Sequence, residues 1–120
     1  MMNGALIGES LRQGATLEGI CLAIRKLYRF APPNVTPDQP PTWTVIEFEV
    51  AEDEAEKLAT ALTGLIDRGW YCDFSSARER VVVFPGRFFR YARGDKAGKA
   101  EAQSCGRSVG VPEAQLDWRD

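Results

Sequence analysis

The sequence predicts an α+β fold in which helices pack on one face of an antiparallel sheet. Three observations predict it. Residues 42–50, TWTVIEFEV, alternate apolar and polar side chains with period two. Residues 52–68 carry apolar side chains at spacings of three and four. Residues 69–94 gather seven of the twelve aromatics and five of the eleven arginines into short β-type runs. At 120 residues the chain reads as one domain, 1–120, and folding buries roughly two-thirds of its unfolded surface.

Residues 1–16 are poorly patterned, and Ala5 to Leu11 reads as one or two helical turns ended near Gly14. Residues 20–30, ICLAIRKLYRF, read as a strand. Lys26 interrupts its apolar parity, which marks an edge strand or a strand end. Residues 31–41, APPNVTPDQPP, hold five prolines; proline lacks the amide proton a sheet requires, so this is a stiff loop. Residues 42–50 form the clearest strand, with Thr44, Ile46, Phe48 and Val50 on the helix side and Trp43, Val45, Glu47 and Glu49 on the other.

Residues 52–68 form the clearest helix. Leu58, Leu62 and Leu65 lie on one stripe and acids crowd the first turn, where they complement the helix dipole. Asp53 and Glu56 have capping-box spacing, and Gly69 suits the left-handed position after the last turn. Residues 70–74 and 80–84 read as strands, the second apolar throughout its VVVF run and central. Pro85 and Gly86 favour a turn whose twist fits a tight hairpin poorly, so a bulge or a wider turn is expected before residues 87–91. Residues 95–109 form a second helix with a small inner side, Ala97, Ala100, Ala102 and Cys105, stopped by Gly110 and Pro112. The tail, 111–120, returns Leu116 and Trp118 to the body. The resulting order, ββαββα with four to five strands, is that of a permuted ferredoxin-like plait with both helices on one face.

Composition removes whole classes of function. There is no histidine, which excludes Ser-His-Asp and Cys-His catalysis and HExxH metal chemistry. The three cysteines are widely spaced and form no CxxC pair, so no metal site and no cofactor are expected; they read as reduced thiols of a cytoplasmic protein. A net charge of −2 argues against nucleic acid as the partner, despite the arginines interleaved with Phe88, Phe89 and Tyr91. No apolar run reaches the ~18 residues of a membrane span.

The candidate site is the face away from the helices. It is expected to carry Arg25, Leu27 and Arg29, then Trp43, Val45, Glu47 and Glu49, then Tyr71 and Asp73. A register pairing Phe30 near Thr42 sets Arg25 opposite Glu47. Trp, Tyr and Arg anchor protein contacts, so this face predicts a homodimer, with a protein partner or a small ligand bound on it. The catalytic alternative uses Glu47, Asp73 and Arg25 as a carboxylate and arginine pocket at a dimer junction; Arg25 would hold the carboxylates ionised, which is wrong for a proton donor. Arg87 and Arg90, near the start of the second helix, form a possible anion site. Cys72 has no neighbouring base and reads as a small buried hydrophobe rather than a nucleophile.

The segments GWYCDF, VVVFPGRFFRYARGD and GRSVGVPEAQLDW resemble those of a group of small uncharacterised bacterial proteins, over about half the chain. The resemblance implies no activity, cofactor or site residue, and suggests accessory cargo of the kind found in mobile gene cassettes. The residues themselves point to a non-catalytic binding or interaction protein.

Overall fold

The computed structural model describes residues 1–119. The fold is α+β. Six antiparallel strands form one open sheet: β1 (Met2–Ile7), β2 (Leu22–Phe30), β3 (Trp43–Val50), β4 (Cys72–Ser75), β5 (Glu79–Phe84) and β6 (Arg87–Ala92). Helix α1 (Ala55–Thr63) follows β3 and helix α2 (Lys96–Ser108) follows β6. The strand order is β2-β3-β1-β4-β5-β6. Three strands precede each helix, so neither the expected four to five strands nor the permuted ferredoxin-like order is borne out.

The additional strand is β1, in the segment expected to be helical. It lies in the middle of the sheet between β3 and β4, pairing Ala5 with Glu47 on one side and with Asp73 on the other. Asn3, Gly4 and Ala5 have little intrinsic strand preference, and tertiary packing overrides it. Met2 is wholly buried. A Cβ on Gly4 would lie 2.8 Å from the Phe74 Cα and closer still to the Phe74 Cβ and the Asp73 carbonyl oxygen. Glycine is therefore what lets β1 and β4 approach.

The helices lie on opposite faces of the sheet, not on one. Val81 and Val83 join Phe74, Cys72 and Phe48 in a core under α1, where Leu58 and Leu62 are fully buried. Val82 and Phe84 join Tyr91, Leu116 and Trp118 in a second core under α2. The run VVVF is apolar at consecutive positions because both faces of β5 are covered. Helix α2 approaches closely through Gly98, Ala102 and Gly106. A Cβ on Gly98 would stand 2.8 Å from the Tyr91 Cβ, and one on Gly106 2.7 Å from Leu116. Asp95 caps the helix, accepting from the Gly98 amide at 3.0 Å.

Other boundaries differ in detail. Helix α1 stops at Gly64 rather than running to Arg68, its start is a 3-10 turn over Glu52–Glu54, and Glu54 at its N-cap makes no side-chain cap hydrogen bond. Leu11 bridges to Ile66 instead. Phe84 pairs with Arg87 across Pro85 and Gly86, so the turn is a tight two-residue hairpin and not the expected bulge or wider turn. Gly86 has φ +82°, and its amide donates to the Thr63 carbonyl at 2.9 Å, pinning the turn to the end of α1. Among the described residues no helix is long and apolar enough to cross a membrane.

Candidate functional site

Strand β3 presents its two sides as alternation requires: Ile46, Phe48 and Val50 toward α1, and Trp43, Val45, Glu47 and Glu49 toward the α2 side. Pairing carries this across the sheet, so Ala5, Ile7 and Asp73 share the second face; Tyr71, just before β4, packs on the same side against the core under α2. Helix α2 covers only its β5–β6 end. Over the centre of the sheet, the proline-rich loop and the tail close down instead.

They border a half-open pocket of about 170 Å³. Ala5, Ile7 and Asp73 supply its floor; the short Ala5 side chain leaves the hollow between Glu47 and Asp73. Trp43, Trp70 and Tyr71 form the walls. Trp43 is fixed by its indole N–H donating to the Pro40 carbonyl at 2.9 Å and by edge contact with Trp70, centroids 4.9 Å apart. Tyr71 donates its hydroxyl to the Gln115 carbonyl at 2.6 Å and packs on Trp118 and Phe84.

The roof is Asn34 and Gln115, with Asp117 exposed at the rim. Gln39 and Gln115 exchange a reciprocal amide pair at 3.0 and 2.6 Å, and Gln115 also donates to the Asn34 carbonyl at 3.0 Å. The five prolines thus stiffen a loop that is stapled to the tail, and preorganisation of this kind lowers the entropy lost on binding.

Comparison with protein-family models, with curated proteins and with solved structures returns no match to this chain. The chemistry of the pocket must be read from its own side chains.

Asp73 accepts a charge-assisted hydrogen bond from Arg80 at 2.6 Å. The Arg80 side chain is 7% exposed, and among the described residues its Nε has no hydrogen-bond partner. Burial pushes the Asp73 carboxyl above the ordinary aspartate value; Arg80 opposes that shift, and the charge of Asp117 adds to it. Tyr71 is raised chiefly by burial, with Asp73 and Asp117 contributing. Cys72 points to the α1 side, where its Sγ donates to the Ala5 carbonyl at 3.3 Å and burial pushes its thiol well up. It is an inert core residue.

Of the residues expected on this face, Trp43, Tyr71 and Asp73 meet in the pocket, and Val45 is buried beside Ile7. Glu47 and Glu49 lie outside it, over the uncovered β2–β3 end. A bulge between Ile24 and Lys26 resets the parity of β2. Arg25 stays on the expected face but pairs with Glu49 at 2.8 Å, not Glu47. Leu27 and Arg29 turn to the α1 side, because Leu27 now pairs with Ile46 and Arg29 with Thr44. Lys26, Tyr28 and Phe30 take their places, and Phe30 extends the aromatic row to Trp43. Arg25, Glu47 and Asp73 therefore do not converge.

Arg87 and Arg90 are not brought together either, since residues three apart in a strand point to opposite faces. Arg90 binds Glu79 at 2.7 Å on the α1 side, while Arg87 lies over the Phe89 ring on the α2 side. Sequence reasoning missed Trp70, Asn34, Gln115 and Asp117. Trp70 precedes β4, so strand parity does not govern it. The other three belong to irregular segments whose contacts no periodicity encodes.

Proposed function

We propose that this chain is a non-catalytic binding protein that holds a small ligand in the pocket between the sheet centre and the Gln39–Gln115 roof. The observation that carries this reading is a half-open hollow with aromatic walls whose roof is held in place by side-chain hydrogen bonds. Such pre-formed concave sites, mostly apolar with a few placed polar groups, are the usual form of small-molecule sites. The three free cysteines fit a reducing, cytoplasmic setting. A thermal-shift screen of metabolites tests the reading. Some compound should stabilise the wild type, and Trp43→Ala should abolish that shift while the variant still unfolds cooperatively. A broad screen with no shift would refute it.

Self-association is a second reading, favoured by the free edge of β2. Ile24 and Leu27 are 63% and 62% exposed there, and Phe30 is 41% exposed. A second copy covering this edge would bury them. Light scattering across a concentration series should then show a dimer; a monomer at the highest concentration would refute it.

A further inference from the structure

We propose that the pocket takes a compact organic monocation, an ammonium carried on a small alkyl body, held by the rings of Trp43, Trp70 and Tyr71 and balanced by Asp117. This inference rests on the reading of the pocket as a binding site and names its ligand class.

The first argument is what the walls leave on offer. The indole N–H of Trp43 is spent on Pro40 and the hydroxyl of Tyr71 on Gln115. These two residues present π-systems to an occupant, and a cation is attracted to the face of an aromatic ring. Trp43 and Trp70 meet at 60°, so their planes form a corner rather than a flat wall.

The second argument is the polar inventory. The side-chain amides of Gln115 and Asn34 already donate to Gln39, Asn34 and Ala114. The charged groups with unused capacity are the carboxylates of Asp73 and Asp117, which when ionised only accept; beside them the Trp70 indole N–H and the rest of the Asn34 amide are neutral. Among the described residues no lysine or arginine lines the cavity. An anionic ligand would face the carboxylate of Asp117 with no cation to pair with it, since Arg80 lies behind Asp73 and is already bonded to it. A neutral apolar ligand would cover the carboxylates with nothing to replace their water, which is costly.

The third argument is charge balance. Arg80 neutralises Asp73 from behind at 2.6 Å. Asp117 remains, one unit of negative charge at the rim, and a single positive charge closes the count. Size sets the last bound. At about 170 Å³ the space is below the ~300–1,000 Å³ typical of drug-sized ligands.

The test is calorimetric titration of the intact chain with three probes of one shape: choline, the uncharged alcohol in which a tert-butyl group replaces its trimethylammonium, and the matching tert-butyl carboxylate. Choline should bind, the alcohol about tenfold or more weaker, and the carboxylate not measurably. Asp117→Asn, a change at an exposed position that leaves the packing intact, should bring choline down toward the alcohol and leave the alcohol unchanged. Equal or tighter binding of the alcohol or the carboxylate overturns the cation while leaving the pocket as a binding site. Choline binding unaffected by Asp117→Asn overturns the role of Asp117 and with it the charge argument. If no probe binds, the monocation proposal falls; the metabolite screen then decides the broader reading independently.

Discussion

Adding one methyl group at Gly4 should destabilise the protein, although glycine in a strand interior is ordinarily the weaker choice. The new Cβ would stand 2.8 Å from the Phe74 Cα and nearer still to the Asp73 carbonyl oxygen and the Phe74 Cβ. Backbone atoms cannot rotate aside, so β1 or β4 must move within a sheet paired on both sides. Overpacking of this kind costs about 1–3 kcal/mol, while reduced freedom of the unfolded chain returns about 0.4–1 kcal/mol. The net loss is about 1–2 kcal/mol. With a urea m-value of ~2 kcal/mol/M, the middle of the range for a small protein, the midpoint of Gly4→Ala should fall by roughly 0.5–1 M. Gly64→Ala supplies the internal control: its Cβ would meet only the Ala61 carbonyl at 3.6 Å, at φ −89°. That change should be neutral or stabilising by up to about 1 kcal/mol. Equal midpoints for wild type and Gly4→Ala would refute the claim that glycine is what allows the two strands to close.

Three further outcomes are expected. Arg80→Met strands Asp73 without its cation; losing one partner of a buried pair costs about 3–5 kcal/mol. Because the Asp73 side chain is 27% exposed and can take up a proton, the loss should lie at or below the low end near neutral pH and shrink in acid, as denaturation at several pH values will show. Glu9 accepts from the Thr44 amide at 2.6 Å and the Thr44 hydroxyl at 2.9 Å. Burial pushes its carboxyl up, but these bonds and the Arg29 charge outweigh burial and hold it below the ordinary value. Its contribution is present above the unfolded pKa and lost as pH falls through the folded one, so Glu9→Gln should flatten the acid limb of the stability profile. Asp73, raised on folding, has the opposite sign: its contribution is full below the unfolded pKa and fades as pH rises through the folded value. Gln115→Ala removes the amide pair that joins the loop to the tail, and should raise amide exchange and proteolysis in residues 31–42 with a stability loss of about 1–2 kcal/mol; unchanged exchange there would mean that the roof is held by other contacts.

The helix–strand alternation of the chain was legible where local pattern and burial agree. The two sides of β3 follow from TWTVIEFEV alone, and Asp95 announces a capped α2; of its expected inner side only Ala102 is buried and Cys105 half-buried, while Ala97 and Ala100 are exposed and Gly98 and Gly106 make the close approach instead. The return of Leu116 and Trp118 to the core likewise followed from their being large apolar side chains in a polar tail. Failures came where a distant neighbour decides. MNGALI becomes the central strand only because Gly4 accommodates Phe74. The bulge near Arg25 shifts half of β2 to the other face, which no residue count foresees. The VVVF run did hold the information that both faces are covered, since a strand under one helical layer would alternate. Three pocket residues were identified from alternation; the roof was not, since Asn34, Gln39 and Gln115 meet through side-chain amides across irregular backbone.

The placement of β1 carries a consequence for biosynthesis. Of the six strands, the earliest in chain order is the one that joins β2–β3 to β4–β5–β6. It has no mate until β3 has been made, and its second neighbour comes later still. Non-local pairing of this sort slows folding. A nascent chain stalled before β4 would display one raw flank of β1 to its surroundings, an unpaired edge open to pairing with another chain.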